Sequence, residues 1–508
     1  MKKNLTRLGA VFCLSLAALV CAHLAVGWTE DKVEIRETVL AGDRSAARGL
    51  EIACSVYDDS HHLRWDVALT LGGDIAPETD FRFFTGRSYW EIPPEYTAQL
   101  YPAPLNFSMS GRVAEDDQRD AEYEYMVRPA MDAASRTAPG EKRTETLRLA
   151  DYYDCYPLAL EAWTPEGPIY STSWRGSGRT LDREEWQKVN DYFRMPVPPE
   201  AMVTVTAERN EAGELVEITC EEAEAAEQFT PMSSLGVASG EALYLPVIPS
   251  QEAPDQVAAG IHVIPLLEKE DRLTPDLDHI RLLYPLALAA ADDLIDFTWN
   301  QDGSLLMLYT REAGRLVLTT VDPHTGETVQ RLELMDLGPE EWVGHMDQSA
   351  LYMVYGNSED DFVLLREEAG VLSQVLSGKL GLSWPMTEMF SSWSRLAWDG
   401  ERLALTGFIQ GRMDQESGTR QPMGFGAAVW TGEGLQYAGF YEYVPARDRE
   451  NWLDGYYRHL FDGRVEGAAW EYGTSLLSFT TKDKDHGRIE KREYRLLTDL
   501  SWLPERTE

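Results

Sequence analysis

The chain opens on one unbroken apolar run, LGAVFCLSLAALVCAHLAVGW over residues 8–28, and then changes to short alternations of apolar and polar positions. The run follows the cations Lys2, Lys3 and Arg7 and carries no formal charge. As a helix rising about 1.5 Å per residue, it would reach about 30 Å, the depth of a hydrocarbon core. The pattern predicts a transmembrane anchor or uncleaved signal over 8–28, contacting lipid through Leu8, Phe12, Leu16, Leu19, Leu24 and Trp28. The excess of Lys and Arg before it predicts a cytoplasmic tail over 1–7 and an extracytoplasmic remainder. Cleavage near Val20-Cys21-Ala22 or Ala25-Val26-Gly27 would instead give a secreted protein. Val20 departs from the small residue that a lipidated Cys21 would need before it.

Beyond the run, residues 29–43 read as a polar stalk. Residues 49–71 read as strand, turn at Asp58-Asp59-Ser60, and strand. Another strand is predicted over Arg82 to Trp90. Ala114 to Lys142 reads as a loop containing a strand, and Thr146 to Trp163 as two strands around Tyr156-Pro157. One helix stands out, from Leu181 to Phe193. Asp182 is a fitting N-cap with Glu185 three residues on, and Trp186, Val189 and Phe193 fall on one face. A hairpin follows, Met202 to Thr206 and Glu214 to Cys220, with its turn at Asn210 to Gly213.

The second half is more regular. Leu294 to Trp299, Ser304 to Thr310, Arg315 to Val321 and Thr328 to Leu334 alternate as strands. Asn300 to Gly303 and Asp322 to Gly326 form turns between them. That is a four-stranded antiparallel meander of about 40 residues. Asp302-Gly303, Asp347-Gln348, Asp399-Gly400 and Asp462-Gly463 recur beside alternating segments and suggest a degenerate repeat. Residues 294–335 resemble a blade of WD40-like or YVTN-type bacterial β-propellers, and the resemblance extends over about 290–508. It implies a mainly all-β protein: an N-terminal transmembrane helix, then a β-propeller-like ectodomain with one short helix near 181–193. The expected division is a β-rich part over 44–240, which could supply blades to the same propeller, and propeller-like repeats over 241–508.

Composition sharpens the picture in one direction. The chain holds 85 Asp and Glu against 46 Lys and Arg, a formal net charge of -39. Such a surface repels phosphate, so nucleic acid is not an expected partner. Cys54, Cys155 and Cys220 lie beyond the apolar run, in a spacing that matches neither a disulfide scaffold nor a zinc site. One disulfide with a thiol left over, or three free thiols, would each fit.

Candidate chemistry adds little. His61 and His62 are adjacent, so on a strand they face opposite ways and share no metal readily. Asp483, Asp485 and Gly487 have a faint calcium-loop spacing but lack the further ligands. Asn357 to Asp361 reads as an acidic turn. Gly176-Ser177-Gly178 misses the spacing of a nucleophile elbow. No metal site and no cofactor are expected, with Ca2+ the weak alternative. Trp163, Trp174, Trp384, Trp393, Trp398 and Trp430 could stack on sugars, although core packing is the better expectation. The sequence thus points to a non-enzymatic, membrane-anchored protein that binds a protein, peptide or glycan at the cell surface. The alternative is an extracytoplasmic carbohydrate-active hydrolase using an Asp/Glu pair.

Overall fold

A computed structural model describes residues 2–27, 33–58, 63–73, 78–83, 97–103, 105–110, 127–164, 167–170, 181–197, 199–222, 236–248, 257–269, 272–289, 292–339, 341–356, 361–383, 386–387, 395–409, 424–445, 478–482, 489–493 and 499–503. The protein is mainly β, as expected, and its strands pair antiparallel throughout the described residues. Contacts divide it into two compact units. One comprises residues 1–92 and 340–508, the other residues 93–339.

Helix α1 spans Lys2–Gly27. Among the described residues, no helix is long and apolar enough to cross a membrane. The consecutive described side chains run from Val11 to Cys21 and are all exposed. The transmembrane span expected over 8–28 is thus not supported. Phe12, Leu16, Leu19 and Leu24 stand exposed on α1. Leu8 also lies in the helix, and Trp28 falls outside the described residues.

The stretch expected as a stalk is largely a strand, Val33–Gly42. It is the edge strand of a five-stranded sheet, paired along its length with Gly434–Pro445. Within it Ile35 is buried while Val39 is exposed. The remaining strands of that sheet are Gly424–Thr431, Leu403–Ile409 and Arg395–Trp398. The predicted hairpin over 49–71 is present as Leu50–Asp58 and Leu63–Thr70. It carries Asp499–Trp502 on one side and Glu78–Phe83 on the other. Of the strand expected over 82–90, residues 82 and 83 belong to Glu78–Phe83, which begins earlier, and 84–90 lie outside the described residues.

In the second unit the expected helix is α3, Arg183–Phe193. Asp182 Oδ1 accepts from the amides of Glu184 and Glu185, and Glu185 Oε2 accepts from the Asp182 amide. Trp186, Val189 and Phe193 are buried on one face. Buried Asn190 fastens that face: Nδ2 donates to the Trp186 carbonyl, and Oδ1 accepts from the Leu158 amide of the neighbouring strand. Asp182→Ala should destabilise the protein by about 1 kcal/mol through loss of the cap, read as a lowered urea midpoint. An unchanged midpoint would show that packing alone sets where the helix starts.

A second helix, α2, spans Arg128–Ser135, where a loop with a strand was expected. Pro129 starts it, and Pro129, Ala130, Ala133 and Ala134 are buried at helical spacing. α2 packs on the hairpin Met202–Arg209 and Leu215–Glu222, which lies close to its predicted place. The division expected near residue 240 falls inside a hairpin, Val237–Ala238 with Ala242–Val247.

The predicted meander is present as Asp293–Trp299, Leu306–Glu312, Arg315–Val321 and Thr328–Asp336, paired in that order. A second one, in the other unit, comprises Val343–Gln348, Leu351–Gly356, Asp361–Glu368 and Val371–Lys379. Their tight loops are two residues long with both φ positive: Ala313-Gly314, Ser349-Ala350 and Ala369-Gly370. That is the backbone twist hairpins need, and glycine supplies it at 314 and 370 without strain. The Asp motifs fare unevenly. Asp302 and Asp399 cap turns by accepting backbone amides. Asp347 instead sits within a strand, and Asp462 lies outside the described residues.

Candidate functional site

Among the described residues, a buried set of ionisable groups sits where the strand Val33–Gly42 meets its partner Gly434–Pro445. Glu37 projects inward from Val33–Gly42, with a side chain only 7% exposed. Register sets it opposite Tyr441, with Tyr437 four residues earlier on the same partner strand. The Tyr437 hydroxyl donates to Glu37 Oε1 at 2.5 Å and lies 2.5 Å from the Tyr441 hydroxyl. Tyr441 is also 3.3 Å from Glu37 Oε1. Arg44, in the 3-10 turn Arg44–Ala47 that follows the strand, places Nε 2.7 Å from Glu37 Oε2.

The direction of the hydrogen-bond chain follows from chemistry. An ionised carboxylate only accepts, so the single Tyr437 proton goes to Glu37. Tyr441 then donates to the Tyr437 oxygen. Burial pushes both phenols well above the ordinary tyrosine value. For Tyr437 the neighbouring Glu37 adds to the effect, and for Tyr441 the neighbouring Tyr437 does. Both therefore keep their protons across the physiological range. Phe425 stacks on Tyr441 at 5.0 Å and 10°. Gly439 leaves room for the Tyr437 hydroxyl, because a Cβ there would come within 1.9 Å of it. Both carboxylate oxygens thus have partners inside the protein. The arrangement suits holding the strand in register rather than transferring protons to a substrate. No sequence signal separated Glu37 from the other acids, because the tyrosines that cover it lie 400 and 404 residues away.

Other singled-out residues fall elsewhere. Among the described residues no group of three or more His, Cys, Asp or Glu is placed to hold a metal ion. His61, His62, Asp483, Asp485, Gly487 and 176–178 lie outside the described residues, as do Trp174, Trp384 and Trp393. Asp361 of the acidic turn begins a strand and pairs with Lys379 at 3.6 Å. Cys155 and Cys220 are free thiols, and burial pushes the Cys155 thiol up. Trp163 and Trp398 are half-buried, while Trp430 is fully buried with Nε1 donating to the Leu380 carbonyl at 2.9 Å. Among the described residues, the exposed indole is Trp342, 52% accessible and edge-on to Tyr355 at 5.9 Å. It escaped the sequence reading because it lies outside the alternating segments.

The chain matches no known family and no curated protein. Among solved structures it is similar to a putative 6-phosphogluconolactonase from Bacteroides uniformis, at 10% identity over 69% of this chain and 95% of that one, with a TM-score of 0.25. A periplasmic gluconolactonase from Pseudomonas aeruginosa matches at 8% identity over 68% and 95%, also with a TM-score of 0.25. The WD40 domain of Toxoplasma gondii coronin matches at 10% identity over 91% and 97%, with a TM-score of 0.20. Scores this low carry no argument about fold or activity.

Proposed function

We propose that the protein is a membrane-anchored, extracytoplasmic β-rich binding protein that presents an acidic surface to a protein, peptide or glycan partner. The observation that carries this reading is α1. It is one continuous helix through the apolar run, its described apolar side chains face solvent, and Lys2, Lys3 and Arg7 precede its apolar part. Exposing such a surface to water is costly, and lipid would cover it. The body begins within six residues of the helix end, at Val33, so a tether there would connect directly to the sheet that Glu37 locks. The net charge of -39 favours cationic partners and disfavours nucleic acid.

Full-length protein is expected to stay in the membrane pellet through an alkaline carbonate wash. A chain starting at Thr29 is expected in the supernatant. Recovery of the full-length protein as a soluble species with α1 removed would sink the anchoring. A glycan and peptide array combined with a hydrolysis screen tests the binding: retention without turnover supports it, and turnover would point to a hydrolase.

A further inference from the structure

His262 is fully buried on the strand Gly260–Lys269 of the second unit. Its Nε2 lies 2.9 Å from the Ala258 carbonyl, and its Nδ1 lies 3.0 Å from the Tyr192 hydroxyl. A carbonyl only accepts, so the proton is on Nε2, and Nδ1 accepts from Tyr192. The last turn of α3 supplies more than that hydroxyl. Tyr192 and Phe193 both present ring edges or faces to the imidazole at 5.6 Å. A neutral histidine thus forms the seat on which the C-terminal turn of α3 rests.

The ionisable groups on the packed elements have their own partners. On α3, Lys188 pairs with Glu184 and Asp278, and Glu185 serves the N-cap and accepts from Tyr170. Asp191 and Arg194 act on the Cys155 thiol. On the two paired strands, His262 lies opposite Leu245 and Leu282. Tyr244, on the first of them, stacks edge-on to Trp299, and Arg281, on the second, acts on Tyr244. Glu268 and Lys269 are exposed at the far end of the histidine's own strand. The influences on His262 are burial and the Ala258 carbonyl, and Tyr192 is the titratable group that touches it.

We propose that His262 is an acid-released latch: neutral, it docks the C-terminal turn of α3 on the sheet, and protonated, it lets that turn go. Protonation places an N–H on Nδ1, so Tyr192 must reverse its hydrogen bond. It also leaves a cation enclosed by Phe193 and aliphatic neighbours. Burial already pushes this histidine below its ordinary value. The folded protein therefore binds the proton less readily than the unfolded chain. The docking is fully present above about pH 6.5 and is lost as pH falls through the folded-state value.

The test uses the full chain, with amide hydrogen exchange across 183–193 and the imidazole titration followed by NMR. From about pH 7 to about pH 5, opening of α3's last turn should rise by up to about tenfold per pH unit, after correction for intrinsic exchange. His262→Gln keeps a donor for Ala258 and should make that opening independent of pH. Tyr192→Phe should raise opening at neutral pH yet keep its acid dependence. Should His262→Gln disrupt folding, the parent protein alone decides. An imidazole titrating at or above about pH 6.5, or α3 protection that does not change over this range, overturns the proposal.

Discussion

Trp430→Ala is expected to lower stability by about 4 kcal/mol, the largest effect of any single core truncation proposed for this chain. The indole is fully buried in a cluster with Met353, Phe362, Leu364, Leu405 and Ala428. Phe362 meets it edge-on at 6.1 Å. Removing it leaves a cavity and also strips the Leu380 carbonyl of its donor. Trp430→Phe fills most of that volume and should cost about 1–2 kcal/mol, chiefly through the unmet carbonyl. Urea unfolding of both variants measures the difference. Equal midpoints for Trp430→Phe and the parent would show that the Leu380 bond contributes nothing net. Little loss in Trp430→Ala would mean that this indole is available to a ligand after all.

Glu37→Ala should follow, at about 2–3 kcal/mol. It leaves Arg44 without its carboxylate and the buried Tyr437 hydroxyl without its acceptor. The figure is kept below that of a fully enclosed ion pair because Arg44 is 36% exposed. Glu37→Gln retains an acceptor for Tyr437 and should lose less. The same cluster sets an alkaline limit. The folded state raises both phenols, so the unfolded chain releases these protons first. Stability is intact below about pH 10 and declines as pH rises above it. Double replacement Tyr437→Phe with Tyr441→Phe should flatten that decline. A decline unchanged in the double variant would assign alkaline sensitivity to other groups.

What could be read from the sequence was what is local. The α3 capping box needs only Asp182 and Glu185, three residues apart. The meander from Asp293 to Asp336 joins strands adjacent in sequence, with turns whose residues announce them. α2 was less legible because eight residues give barely two turns, although Pro129, Ala130, Ala133 and Ala134 already had helical spacing. The Ser349-Ala350 turn lacked the usual Asn or Gly, which hid the true hairpin beside Asp347. The pairing of Val33–Gly42 with Gly434–Pro445 could not be read at all. The first strand read as part of a polar stalk, and nothing local names a partner so far along the chain. The buried carboxylate was invisible for the same reason, since a glutamate's burial is decided by what covers it.

That distant pairing also governs the order in which the protein can be completed. Tyr437 is 400 residues beyond Glu37. At roughly 5–20 residues per second of synthesis, the first strand waits on the order of 20–80 s for its neighbour to emerge. Closing so long a loop is expensive mainly in time, because the entropic cost grows only with the logarithm of length. During that wait the strand's inward edge and Ile35 are unpaired beside α1. The nascent chain therefore carries an unpaired strand for that interval, and a chaperone that shields extended segments would have its longest task there.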